Sequence, residues 1–126
     1  MAGHGRRDAV EELRREVGDA LRAVAWFDPD GYEVLYFRED IAAKHDEDSI
    51  DDVYREQIFE VLNEDYRIDL FDVGDPEGTV YLYADAYVLR YLTGSGGLFV
   101  SVDRADEVDL DGLVTRCDTI SGELHD

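Results

Sequence analysis

Between Thr79 and Asp103, apolar side chains recur at every second position through three successive runs. No other feature of the chain restricts its fold so far, because period-two patterning of this length demands paired strands. A reversal at Asp85-Ala86 sets Leu82 opposite Leu89, Val80 opposite Tyr91 and Ala84 opposite Tyr87 on one hairpin face. Tyr81 and Tyr83 then share the other face with Arg90 and Val88. A second turn, Gly94-Ser95-Gly96, leads to a strand over Gly97 to Asp103, with Leu98, Val100 and Val102 on one side and Phe99 on the other. Both faces of such a sheet carry apolar groups and both need cover, so the sheet is expected between helices.

The remaining elements supply that cover. From Asp8, Val10, Leu13 and Val17 follow a helical period, and Gly18 is a natural stop. Leu21 to Phe27 reads as a strand, Asp28-Pro29-Asp30-Gly31 as a turn and Tyr32 to Arg38 as the returning strand. An acidic loop, Glu39 to Asp48, precedes a second helix with Ser49 as its N-cap and Val53, Tyr54, Ile58, Val61 and Leu62 as its apolar stripe. Phe59 falls off that stripe. Tyr66 to Val73 alternates too weakly to assign, and Asp75-Pro76-Glu77-Gly78 is a turn. A last helix from Asp109 is expected to bury Leu110, Leu113, Val114 and Cys117. The reading is one α+β domain over residues 8–120, with flexible tails at 1–7 and 121–126. Its order is α-β-β-α-β-β-β-α, an antiparallel sheet of about five strands flanked by helices.

The charge of this chain is as informative as its pattern. Twelve basic residues against thirty-two acidic ones leave −20 on 126 residues, twenty of the acids are aspartate, and Lys44 is the only lysine. Apolar residues still make up 44% of the chain, enough for a core. The composition resembles that of haloarchaeal proteins, which work in molar intracellular salt. There the Debye length falls to about 3 Å and repulsion among carboxylates is screened. The arginines are scattered and form no basic patch, which argues against nucleic acid as a partner. No apolar run is long enough for a membrane helix, no signal peptide opens the chain and the single cysteine has no internal partner. A soluble cytoplasmic protein is the expectation.

The element order, from Asp8 to Ile120, resembles the roadblock (dynein light chain) and longin-like group, which shares the layered architecture of profilin. The segments Tyr32 to Asp40 and Gly97 to Arg104 further resemble a small haloarchaeal family of unknown function. The first resemblance implies a non-enzymatic dimerising scaffold or a partner of small GTPases. The second implies no catalytic or ligand residues.

The residues themselves offer little chemistry. His4 and His125 lie in the tails and His45 in the acidic loop, with no second ligand spaced for a metal and no positioned imidazole for nucleophilic catalysis. Cys117, on the apolar face of the last helix, reads as a buried hydrophobe rather than a reactive thiol. The acids from Asp46 to Asp52 lack the glycine of a calcium loop. Gly94-Ser95-Gly96-Gly97 fails the dinucleotide fingerprint, which would need Gly at Phe99, and no lysine follows. The expectation is no catalytic residue, no cofactor and no metal site.

The large aromatics carry what remains. Tyr81, Tyr83 and Phe99, joined by Trp26, either pack under the second helix or, with Phe59, form a partner surface. The leading functional reading is a non-catalytic interaction or regulatory module that pairs with itself and with a further protein. The alternatives are a small-molecule sensor with a pocket between sheet and helix and, third, a carboxylate-based hydrolase.

The charge yields a direct expectation. The thermal midpoint followed by circular dichroism should fall sharply below about 0.1 M salt, where the Debye length reaches about 10 Å. An unchanged midpoint from dilute buffer to molar KCl removes the halophilic reading.

Overall fold

Helix α1 (Arg6–Val17) opens the computed structural model, which describes residues 6–64, 77–93 and 96–123. Gly18 stops the helix with φ +61, a left-handed conformation that glycine adopts without steric cost. A 3-10 turn over Gly18–Ala20 then feeds β1 (Leu21–Asp28). The Asp28 carboxylate accepts hydrogen bonds from the N–H groups of Asp30 and Gly31, at 2.8 and 3.1 Å, and folds the chain back into β2 (Gly31–Phe37).

The acidic stretch read as a loop contains a short helix, α2 (Glu39–Ala42), because Ile41 is buried and anchors it. The long helix α3 (Glu47–Glu64) begins two residues before Ser49. Asp46 Oδ1 accepts the Ser49 N–H at 2.8 Å, so Asp46 takes the capping role expected of Ser49. Strands β3 (Gly78–Leu82), β4 (Ala86–Thr93) and β5 (Gly96–Asp103) precede the last helix, α4 (Leu110–Glu123). Helices α1 and α4 extend into the stretches 1–7 and 121–126 that the pattern leaves as tails. Buried Ile120 and Ser121 hold that last turn of α4 in place. Tyr66 to Val73, Asp75-Pro76, Gly94-Ser95 and the side chains of Val61 and Leu62 lie outside the described residues.

The five strands form one antiparallel sheet in the order β2-β1-β5-β4-β3. Its first face packs against α1 and α4, around Leu13, Leu21, Val24, Leu98, Val100, Val102 and Leu113. Trp26 belongs to this core at 2% exposure, and not with the aromatics of the second face. Alternation along β1 from Val24 requires it. Cys117 is fully buried in the same core, as its helical position implies. Helix α3 covers the second face on the β1 side.

The β3–β4 hairpin keeps the expected faces but not the expected register. Val80 pairs with Leu89 and Leu82 with Tyr87, two positions from the pairing drawn on sequence. A step of two preserves the side of every residue, so the apolar pattern cannot distinguish the two registers. The turn closes instead with the Tyr83 N–H donating to the Ala86 carbonyl at 2.9 Å. Gly97 lies in the strand as expected, and Gly96, read as a turn residue, is already a buried residue of β5. A Cβ on Gly97 would stand 2.6 Å from the Phe27 ring, so glycine there lets that ring lie across β5.

Because β3 is the last strand of the sheet, Leu82 is 62% exposed while Leu89, one strand inward, is 1% exposed. Leu89→Ala should cost about 2–4 kcal/mol in denaturant titration and Leu82→Ala less than about 1 kcal/mol. Equal losses would contradict the edge position of β3.

Candidate functional site

The second face of the sheet is not filled. Its floor, at the centre of β1, consists of Ala23 and Ala25, where the first-face residues of the same strand are Val24 and Trp26. Small side chains beneath α3 leave a groove of about 320 Å³. Its apolar walls come from Phe27, Phe37 and Phe99 on the strands and from Ile50, Val53 and Tyr54 on α3. Val88 of β4 with Tyr81 and Tyr83 of the β3 hairpin line the far side.

Two tyrosines fasten α3 to the β1–β2 end of this groove. The Tyr54 hydroxyl donates to the Asp28 carbonyl and the Tyr32 hydroxyl to Asp51 Oδ1, each at 2.6 Å. Their rings stand 5.1 Å apart. The bond to the Asp51 carboxylate, aided by partial burial, raises the Tyr32 pKa. Burial, with the charges of Asp28 and Asp30, raises that of Tyr54. Both hydroxyls stay protonated and act as donors.

One polar group in the groove stands out. Gln57 is 7% exposed, and its Oε1 is buried without a hydrogen-bond partner among the described residues. It occupies the α3 stripe between Tyr54 and Ile58, where the sequence shows a polar residue in an apolar row. That interruption is the signal by which sequence reading could have found it. His45 lies at the groove mouth, exposed, with Nδ1 3.0 Å from Ser49 Oγ and its ring stacked on Phe37.

Of the four candidate interface residues, Tyr81, Tyr83 and Phe99 border this one groove. Tyr81 and Phe99 are half-buried and Tyr83 is 56% exposed. Phe59 stands apart from them: it is 65% exposed, two residues beyond Gln57 and therefore turned to the opposite side of α3. Arg90, fully buried on the second face, is a residue that the sequence pattern does not single out; it bonds the Tyr81 hydroxyl at 3.1 Å and Thr79 Oγ1 at 3.0 Å.

The densest charged cluster lies at one end of β1, β2 and β5. Arg38 meets both Asp103 oxygens, at 2.6 and 3.1 Å, and both Asp40 oxygens, at 2.6 and 3.1 Å. Arg22 adds a bond to Asp103 at 3.2 Å and one to Ser101 at 3.1 Å. Arg38 above all, with Arg22, holds the Asp103 carboxyl below its usual range against the opposing effect of burial. This cluster binds strand ends together and leaves its carboxylates occupied. No three His, Cys, Asp or Glu side chains among the described residues converge to hold a metal ion. At Cys117, burial and the nearby Glu16 charge push the thiol up to about 12, so its reactive thiolate is suppressed.

Residues 7–122 match the family described as Domain of unknown function (DUF7522), and the chain belongs to that family. No curated protein matches it. Among solved structures it is similar to the gliding protein MglB from Thermus thermophilus, at 16% identity over 98% of this chain and 92% of that one, with a TM-score of 0.67. It is also similar to Myxococcus xanthus MglB, at 14% identity over 93% and 89% of the two chains and a TM-score of 0.66. A third, titled "MglB with tetrameric arrangement", matches at 14% identity over 96% and 89%, with a TM-score of 0.65. At these identities the likeness establishes the fold, which is the roadblock-like α+β architecture that the element order resembles.

The Asp103 cluster generates a pH expectation. A carboxylate whose pKa is lowered by folding contributes stability above its unfolded value and loses it as pH falls through the lowered one. Asp103→Asn should cost about 1–2 kcal/mol at neutral pH, discounted for the partial exposure of the pair. The difference from wild type should vanish in acid. A gap that persists in acid would assign the loss to packing instead.

Proposed function

We propose that this DUF7522 member is a non-catalytic interaction and regulatory module that works as a homodimer. The outer side of α3 and the edge strand β3 form the pairing surface. The observation that carries the reading is a set of exposed large apolar side chains on a chain of net charge −20. Phe59 of α3 and Leu82 and Tyr83 of the β3 hairpin are each more than half exposed. Exposed aromatic and leucine side chains against so acidic a background fit a protein contact, where aromatic residues are enriched at the centre.

The edge adds a second support. Strand β3 is last in the sheet, so its outer backbone groups have no strand partner among the described residues. A two-fold related copy can pair with them and hide them from other chains. The roadblock-like fold is consistent with this use, and one MglB structure carries a tetrameric arrangement in its title. High charge sets the condition for pairing. Two copies at −20 repel each other in dilute buffer, and molar salt reduces that repulsion to contact range.

Light scattering in molar KCl should give twice the 14.3 kDa chain mass. Phe59→Glu should return the protein to one chain mass with its circular dichroism spectrum unchanged, because the side chain is solvent-facing in the monomer, and with a midpoint that no longer rises with protein concentration. A monomer at high protein concentration, folded and in molar KCl, overturns the proposal.

A further inference from the structure

Beside that pairing surface, which meets it at the β3 hairpin, we propose that the groove beneath α3 is a binding site for a small, neutral, planar aromatic molecule that carries an N–H or O–H donor. Three observations converge on this ligand class. The first is volume. At about 320 Å³ the groove lies at the small end of ligand cavities, which run from about 300 to 1,000 Å³. The space arises from the sequence itself, because Ala23 and Ala25 occupy the floor of a strand whose opposite face carries Val24 and Trp26.

The second is the wall chemistry. Phe27, Phe99, Tyr54 and Tyr81 present aromatic rings on several sides of the space. Such rings favour a flat guest that can stack or meet them edge-on. The charges in the lining do not call for an anion. Arg22, the cation in the lining, is committed to Ser101 and Asp103, and Glu56 stands exposed at the rim.

The third is the group that names the donor. Gln57 is part of the groove lining, and its Oε1, buried and unpartnered among the described residues, comes to face a guest by rotation of the terminal amide. A buried carbonyl acceptor without a partner carries a desolvation penalty that a ligand N–H or O–H removes. Gln57 therefore selects among aromatic guests by their donor, while the rings select by shape. Phe59, on the other side of α3, plays no part in this site.

Indole and benzofuran separate these roles, since they share a shape and differ in the single N–H. In molar KCl, indole should move the backbone amide signals of Ala23, Ala25, Gln57 and Phe99 saturably in two-dimensional nuclear magnetic resonance. Benzofuran should bind roughly tenfold more weakly. Gln57→Leu should bring the two probes to equal affinity, and Ala25→Leu, by filling the floor, should abolish the shifts. Where Ala25→Leu melts early, Ala23→Leu takes its place, and the wild-type comparison needs no variant. Three results overturn the proposal: no saturable shift with indole, equal affinity of both probes for the wild type, or groove signals that move with protein concentration alone. The last would place a second copy in the groove.

Discussion

The central strand β5 lies between β1 and β4, and its Leu98, Val100 and Val102 are sealed beneath α1 and α4. Burying each such side chain contributes about 1.5–3 kcal/mol, and both helices of the first face are positioned by that contact. Helix α1 brings Leu13 to it and α4 brings Leu113, Cys117 and Ile120. Arg116 of α4 reaches toward Glu12 and Glu16 of α1 at the surface, at 3.8 and 3.6 Å, an addition worth little beside the apolar seal. Tyr91 ties β4 to α4 through Asp118 at 3.0 Å, and burial with that bond pushes its hydroxyl up to about 12.

With the first face sealed, the second is free to differ. It is covered on the β1 side by α3, fastened through Tyr32 and Tyr54, and it is hollow at Ala23 and Ala25. The two faces thus divide the work: one supplies stability, while the other presents aromatic side chains and a space that stability does not require. The same division runs across α3, where Gln57 faces inward and Phe59 outward. A helix with both sides committed to packing could not offer both a groove wall and an exposed aromatic side chain.

Charge sets limits on both. Two arginines, Arg22 and Arg38, are drawn into one half-buried cluster around Asp103 that joins β1, β2, β5 and α2. Most remaining carboxylates are solvent-facing, and their mutual repulsion is a diffuse term set by ionic strength rather than by any one contact.

Much of this architecture is legible in the sequence, for a definite reason. Alternation at period two assigns each strand residue to a face, and a helical period does the same for α1 and α4, so the two-layer cover, the buried Cys117 and the off-stripe Phe59 follow from sequence. What alternation cannot measure is a shift by two residues or the place of a strand in the sheet. The β3–β4 register and the exposure of Leu82 were therefore decided only when the strands paired. Trp26 moved to the core because its parity with Val24 outweighs its chemical kinship with the other aromatics. A pocket between sheet and helix is an alternative the sequence allows, but the lining and size of the groove were beyond it for a different reason. A cavity is the volume left between elements, and Ala23, Ala25 and Gln57 acquire meaning only once α3 is laid across β1 at a particular height.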